Sequence, residues 1–213
     1  DKLTASLSLA TPSWTLLGIA IFGLRLSRMS VVQHFRVVPR NKELSDKVEQ
    51  VLIIGGAGYI GSMLTEQLLE RGYRVRILDM ELFGRDSLNN WREHPRLELM
   101  TGDFRNVEDV VRALHNADAV IHLAAIVGDP ACESDRDTTI AVNYAATKIL
   151  SQLARANGIS RLIFASTCSV YGESGDIRTE ESEPNPVSLY ATTKVDAERI
   201  LLDAADDLSL IHI

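Results

Sequence analysis

From Val48 onward, short apolar runs rich in β-branched residues alternate with longer stretches whose apolar positions recur every three or four residues. Val51 to Ile54 is apolar at every position, the pattern of a strand covered on both faces. An amphipathic stretch then runs to Arg71, and Gly72 supplies a helix stop. Tyr73 to Leu78 predicts a second strand that ends on Asp79, and Leu97 to Met100 a third that leads into Gly102-Asp103. Asn106, a good N-cap, opens a helix with Asp109 three residues on. Ala119 to Leu123 predicts the fourth strand. A long helix follows from about Asp137 to Asn157, its apolar stripe read as Ala141, Ala145, Ile149 and Leu153. Arg161 to Ala165 is the fifth strand, Leu189 to Ala205 a helix, and Leu208 to Ile213 a candidate sixth strand. Strand and helix in alternation imply an α/β fold, a doubly wound parallel sheet of Rossmann type over residues 47–213.

The turn after the first strand reads Gly55-Gly56-Ala57-Gly58-Tyr59-Ile60-Gly61. Small residues there let the backbone turn sharply and approach a pyrophosphate, whose charge the N-terminus of the next helix stabilises. Taken alone the heptapeptide also reads as a plain loop. Asp79, at the end of the second strand, gives it context. A carboxylate accepts hydrogen bonds from both ribose hydroxyls of NAD and repels the 2′-phosphate of NADP. Arg76 and Arg85 lean the other way, so the residues favour NAD and leave NADP open.

Ligands in such a sheet sit beyond the carboxyl ends of the strands. Besides the turn and Asp79, those ends carry Gly102-Asp103, then His122-Leu123-Ala124-Ala125, then Ser166-Thr167-Cys168-Ser169. Downstream, Tyr190 and Lys194 are four positions apart on one predicted helix face. At roughly 6 Å and an effective dielectric near ~20, Coulomb's law gives about 3 kcal/mol, or about two pKa units. A phenol near ~10 would move toward ~8, into the range of a general base. An ordinary surface tyrosine and lysine is the competing reading.

Composition narrows the field. The 213 residues, 46% hydrophobic, suffice for one domain with a sizeable core, and a net charge of −7 argues against nucleic acid as a main partner. Cys132 and Cys168 have neither metal nor redox spacing, which fits a reducing compartment and reads as small packing residues. No zinc, calcium or Walker signature occurs. Residues 1–46 form an N-terminal extension, in which Leu3 to Leu24 lacks any charged residue and Pro39 to Lys47 makes a sparse join. The apolar segment is marginal for a bilayer span, and an interfacial anchor, a packed helix or a preceding piece of a longer chain fits equally. If it inserts, Arg25, Arg28, Arg36 and Arg40 leave the domain on the cytoplasmic face; Met29 offers an alternative start.

Together, the glycine turn, Asp79, Gly102-Asp103, His122-Leu-Ala-Ala, Asn143, Ser166-Thr-Cys-Ser-Val-Tyr-Gly172 and Tyr190-x-x-x-Lys194 resemble the extended short-chain dehydrogenase/reductases. Within these the likeness is to the NAD-dependent sugar-nucleotide epimerase/dehydratases, over about Val48 to Ala205. With Gly55, Gly58 and Gly61 as the pyrophosphate cradle, the resemblance implies that Tyr59 and Ile60 contact the cofactor through the turn, Asp79 the adenosine ribose, Asp103 and Phe104 the adenine, and Leu123, Ala124 and Ala125 the nicotinamide half. Asn143 would lie beside the cofactor. Tyr190 would be the base, Lys194 would bind the nicotinamide ribose and lower the tyrosine pKa, and Thr167 would hydrogen-bond the substrate oxygen. As local readings, Asp103 is a turn former, Asn143 a buried amide and Thr167 a strand-end hydroxyl.

One departure bears on the reaction. Family 4,6-dehydratases carry an Asp-Glu pair after the threonine and the decarboxylases keep the glutamate, whereas here stand Cys168 and Ser169. Neither is a carboxyl acid or base, so the resemblance favours a 4-epimerase acting on a nucleotide-diphosphate sugar, with a reductase or dehydrogenase still open. A non-catalytic NAD-binding regulatory module is the alternative of another class, and a membrane-tethered enzyme of surface-polysaccharide assembly a third. Family members also continue into a C-terminal portion that closes over the sugar, and often pair as homodimers. A truncated chain is therefore expected.

Overall fold

The computed structural model describes residues 48–84, 86–204 and 209–212. The extension 1–46 with its apolar segment 3–24, Arg85, Leu208 and Ile213 lie outside the described residues. Among the described residues, six strands form one parallel sheet: β1 (Gln50–Ile54), β2 (Arg74–Asp79), β3 (Leu97–Thr101), β4 (Ala119–His122), β5 (Arg161–Phe164) and β6 (Ser209–His212). Their order is β3-β2-β1-β4-β5-β6, so the chain reverses its direction of travel across the sheet between β1 and β4. The candidate sixth strand is present, with Leu162 registered opposite Leu210.

The period of two along each strand sorts side chains onto two cores. Leu52, Ile54, Leu78, Val120, Leu162 and Phe164 face one way, under α2 (Val107–Leu114), α5 (Thr147–Ala156) and α6 (Leu189–Asp203). Val51, Ile53, Val75, Ile77 and Ile121 face the other, against Leu69 of α1 (Tyr59–Glu70) and Leu88. Both faces are covered, which is why the strands read as unbroken apolar runs. At the opposite edge of the sheet from the strand carboxyl ends, Asp118 takes the amides of Glu49 and Gln50 at 2.8 and 2.9 Å and fixes the start of β1. Asn106 caps α2 as expected, accepting from the amide of Glu108.

The predicted long helix is built differently. It comprises α4 (Arg136–Ile140), a π-helical segment Ala141–Ala146, and α5, preceded by an unforeseen short α3 (Asp129–Ser134). Its buried stripe is Val142, Ala146, Leu150 and Ala154, one position round from the predicted one. The displacement arises because small polar residues share the buried face. Thr147 donates to the carbonyl of Asn143 at 2.9 Å and Ser151 to that of Lys148 at 2.8 Å, so their hydroxyls are satisfied without water. Short 3-10 helices at Asp86–Trp91 and Cys168–Tyr171 were also not predicted. Cys132 packs in the interior as expected, but Cys168 lies exposed on the second of these turns. Among the described residues no helix is long and apolar enough to cross a membrane, and no group of acidic, His and Cys side chains could hold a metal ion.

Candidate active site

The reversal of strand order between β1 and β4 opens a cleft of about 270 Å³ at the carboxyl edge of the sheet. Gly55, Ala57 and Gly58 form one wall, Asp79 and Gly102 another, and Leu123, Ala124 and Ala125 a third. The turn depends on its glycines for separate reasons. Gly55 has φ +86°, and a Cβ there would lie 2.7 Å from the amide nitrogen of Ala124. A Cβ on Gly61 would lie 2.4 Å from the carbonyl oxygen of Gly55, so only glycine lets α1 start so close beneath the turn. Gly58, by contrast, has φ −70° and ψ 177°, which any residue adopts, and its nearest Cβ neighbour is 3.4 Å away. A side chain there would meet no tight protein contact, and the residue faces the cleft. No side chain caps α1, and Tyr59 and Ile60 at its first turn are mostly exposed.

Asp79 closes the β2 end. Its two carboxylate oxygens take the amides of Ala57 (2.9 Å) and Glu81 (2.7 Å), one each, which leaves a lone pair on either oxygen for a diol. Arg76, which leaned toward NADP, is turned away. It pairs with Glu98 at 2.7 Å and donates to the carbonyls of Ala113 and His115 at the C-terminal end of α2, on the face of β2 opposite to Asp79. A cradle that a methyl group would fill, an uncapped helix start and a carboxylate free of any described cation fit a dinucleotide with an unmodified ribose, namely NAD.

At the β3 end, Arg105 rather than Asp103 lines the cleft. The Asp103 carboxylate is engaged by the Arg105 guanidinium at 2.6 Å, which holds its pKa below the usual carboxylate range, and its amide donates to Asp109. Asp103 is thus first a turn former. Phe104 does line the cleft, and its ring packs edge-on against His122 at 5.1 Å. Arg105 was missed because it carries no spacing signal; only its place after Gly102-Asp103-Phe104 could have suggested it.

Asn143 sits in the π-helical segment with its amide fully engaged. The oxygen accepts from the amide of Ile126 at 2.8 Å, and the nitrogen donates to the carbonyl of Ile126 at 2.9 Å and to the Thr193 hydroxyl at 3.3 Å. Thr193 in turn donates to the carbonyl of Tyr190. The side chain expected beside the cofactor therefore serves to tie the loop after β4 to the helix that carries Tyr190 and Lys194.

Those two residues are indeed brought to the strand edge, on α6, next to Thr167. The Lys194 ammonium donates to the carbonyl of Ala165 at 2.6 Å and lies 4.3 Å from the centre of the Phe164 ring. Burial pulls its pKa down to about 8, with Glu198 opposing that shift. For Tyr190 the expectation from Coulomb's law is corrected: burial pushes the phenol up, and hydrogen bonding to Thr167 is the opposing influence. That expectation omitted desolvation, which penalises phenolate and ammonium alike. Thr167 also accepts from the amide of Ser169, and so holds the start of the 3-10 turn.

His122, read from sequence only as part of a strand end, is wholly buried between Phe104 and Phe164. Thr147 uses its proton on the carbonyl of Asn143, so the 3.0 Å contact between His122 Nε2 and Thr147 is donated by the imidazole. Nδ1 is then a buried acceptor without a partner. Burial, with a lesser contribution from Lys194, lowers the pKa to about 3, so the ring is neutral.

Known proteins resemble this chain in sequence and fold. Sterol-4-alpha-carboxylate 3-dehydrogenase, decarboxylating, of Mus musculus is 33% identical over 164 residues, 75% of this chain and 42% of its own length. UDP-glucose 4-epimerase of Rhizobium leguminosarum bv. trifolii is 34% identical over 158 residues, 73% of this chain and 47% of its own. The structure of the Thermus thermophilus UDP-glucose 4-epimerase in complex with NAD matches with a TM-score of 0.69 and 32% identity, covering 76% of this chain and 53% of that one. The chain thus spans less than half the length of these two curated relatives. The NAD dependent epimerase/dehydratase profile matches residues 51–211, from the first strand of the sheet to the last, and the chain belongs to that family.

Proposed function

We propose that the full-length protein is an NAD-dependent nucleotide-sugar epimerase of the 4-epimerase type. The observation that carries the proposal is the placement of Thr167, Tyr190 and Lys194 on the same sheet edge as the glycine cradle, with Cys168 and Ser169 where a dehydratase needs carboxyl groups. NAD, when bound, supplies the ring carbon that accepts a hydride and returns it. Gly58 and the first turn of α1 would hold its pyrophosphate, Asp79 its adenosine ribose and Ala124 and Ala125 its nicotinamide half. Thr167 would hold the sugar oxygen, while Tyr190 takes its proton and later gives it back. The Lys194 ammonium, kept close by the Ala165 carbonyl, would favour the phenolate and offset the burial that raises its pKa. The portion that recognises the sugar would lie in the rest of the parent protein.

A second reading, a dehydrogenase, is favoured by the likeness to the sterol-4-alpha-carboxylate enzyme. One experiment separates them. Full-length protein is incubated with NAD and a panel of UDP-hexoses, then with hydroxysteroids, following both products and NADH. Interconversion of sugars without net NADH supports the epimerase; steady NADH release identifies a dehydrogenase. Neither product from any substrate, with NAD bound, sinks both.

A further inference from the structure

Three successive residues follow β5 beside α6. Ala165 offers its carbonyl to Lys194 at 2.6 Å, and the Thr167 side chain lies close enough to the Tyr190 phenol to influence it. Between them, the Ser166 hydroxyl donates to the carboxylate of Glu198. Tyr190, Lys194 and Glu198 follow at intervals of four, so they lie one above another on a single helix face. Nothing in the proposed chemistry uses Glu198. Yet it is half-buried, and its charge opposes the burial that lowers the Lys194 pKa.

We propose that Ser166 and Glu198 are a positioning pair for the active site: the hydroxyl-carboxylate contact fixes the register of Thr167 against Tyr190, and the carboxylate keeps Lys194 in its charged form. The inference rests on Tyr190 and Lys194 being the reacting pair. Its physical logic is local. Lys194 has 3% of its surface exposed, so a cation there needs compensation from protein groups. The Ala165 carbonyl and the Phe164 ring supply partial charge. Glu198 is the formal anion acting on Lys194. Among the described residues, the titratable groups near the pair include Tyr190 on α6, His122 from β4, which is neutral, and Tyr171 from the turn after β5, whose pKa burial, Glu180 and Glu198 raise. None of these offsets a positive charge near neutral pH.

The pair can be taken apart because its two functions reside in different atoms. Glu198→Gln keeps an acceptor for Ser166 but removes the charge. Ser166→Ala keeps the charge but removes the tether. In full-length protein carrying lysine labelled with 13C at Cε, the Lys194 signal is assigned by its loss in Lys194→Arg and titrated by NMR. Glu198→Gln is expected to lower its midpoint by on the order of one pH unit, and Ser166→Ala to leave the midpoint in place. On whichever substrate is turned over, Ser166→Ala is expected to lower kcat about tenfold or more with little change in NAD affinity. An unchanged midpoint in Glu198→Gln overturns the electrostatic half, and wild-type kcat in Ser166→Ala overturns the positioning half. The NMR titration needs no turnover, so a failed functional assignment would leave its result readable.

Discussion

Gly58→Ala separates a glycine required by the fold from one required by a ligand. Its φ of −70° and ψ of 177° suit alanine, and the new methyl group would meet nothing closer than 3.4 Å. The protein itself therefore has no steric reason to keep glycine there. Replacing it should stabilise slightly, by about 0.4–1 kcal/mol, because the unfolded chain loses freedom. The same methyl group would project from the cleft wall where a pyrophosphate must approach the backbone. Pushing a phosphate oxygen off the helix N-terminus by even part of an ångström should cost about 1.5–3 kcal/mol, or roughly 10- to 100-fold in NAD affinity. Gly61→Ala is the contrasting control. Its Cβ would lie 2.4 Å from the Gly55 carbonyl oxygen and 2.6 Å from the Gly56 Cα, both backbone, so stability should fall by about 1–3 kcal/mol before any ligand is added. Urea unfolding without ligand and calorimetric titration with NAD give the two quantities independently. Wild-type NAD affinity in Gly58→Ala, with the fold intact, would refute the cradle.

Tyr190→Phe should reduce turnover by about 10²–10⁴-fold while NAD affinity holds, whereas a non-catalytic NAD sensor would keep its output; equilibrium binding beside a product assay decides. Asn143→Leu leaves the amide and carbonyl of Ile126 and the Thr193 hydroxyl short of a partner and should destabilise by about 2–4 kcal/mol in urea unfolding. His122 gives a pH signature. Its folded pKa of about 3 is below the ordinary histidine value of 6.5, so the unfolded state binds the extra proton and stability falls as pH drops through that window. Between about pH 7 and about pH 5 the loss should be about 2 kcal/mol, and His122→Leu should flatten the slope; an equal slope in both proteins would show that the imidazole is not held neutral.

The glycine turn shows how far spacing alone reaches. The strand before it, the helix after it and Asp79 at the end of β2 were legible because each rests on local periodicity or backbone geometry. The doubly wound class followed from the alternation of the elements, whereas the order of the strands came from the structure. The stripe of the helix around Asn143 was misplaced by one position because Thr147 and Ser151 hide their hydroxyls in helix carbonyls, and a polar letter does not reveal that. Arg76 looked like a ribose ligand by distance in sequence, yet the pleat of β2 points it toward α2. Likewise, proximity in sequence suggested that Lys194 would set the phenol of Tyr190, but the depth at which both are buried reverses the direction.

What the sequence by itself determined was the α/β alternation, the glycine turn after β1 and the residue types at the strand ends, since these depend on chain-local sterics and on residue type. Tertiary structure alone decided which carboxylate pairs with a described cation and which does not, that Asn143 ties a loop to a helix, and that His122 is neutral. It also placed Ser166 against Glu198, next to the contact of Lys194 with the Ala165 carbonyl. The physical reason is common to all of them. Charge state and hydrogen-bond partnership depend on desolvation and on neighbours brought together from distant parts of the chain, and neither is encoded in spacing along it.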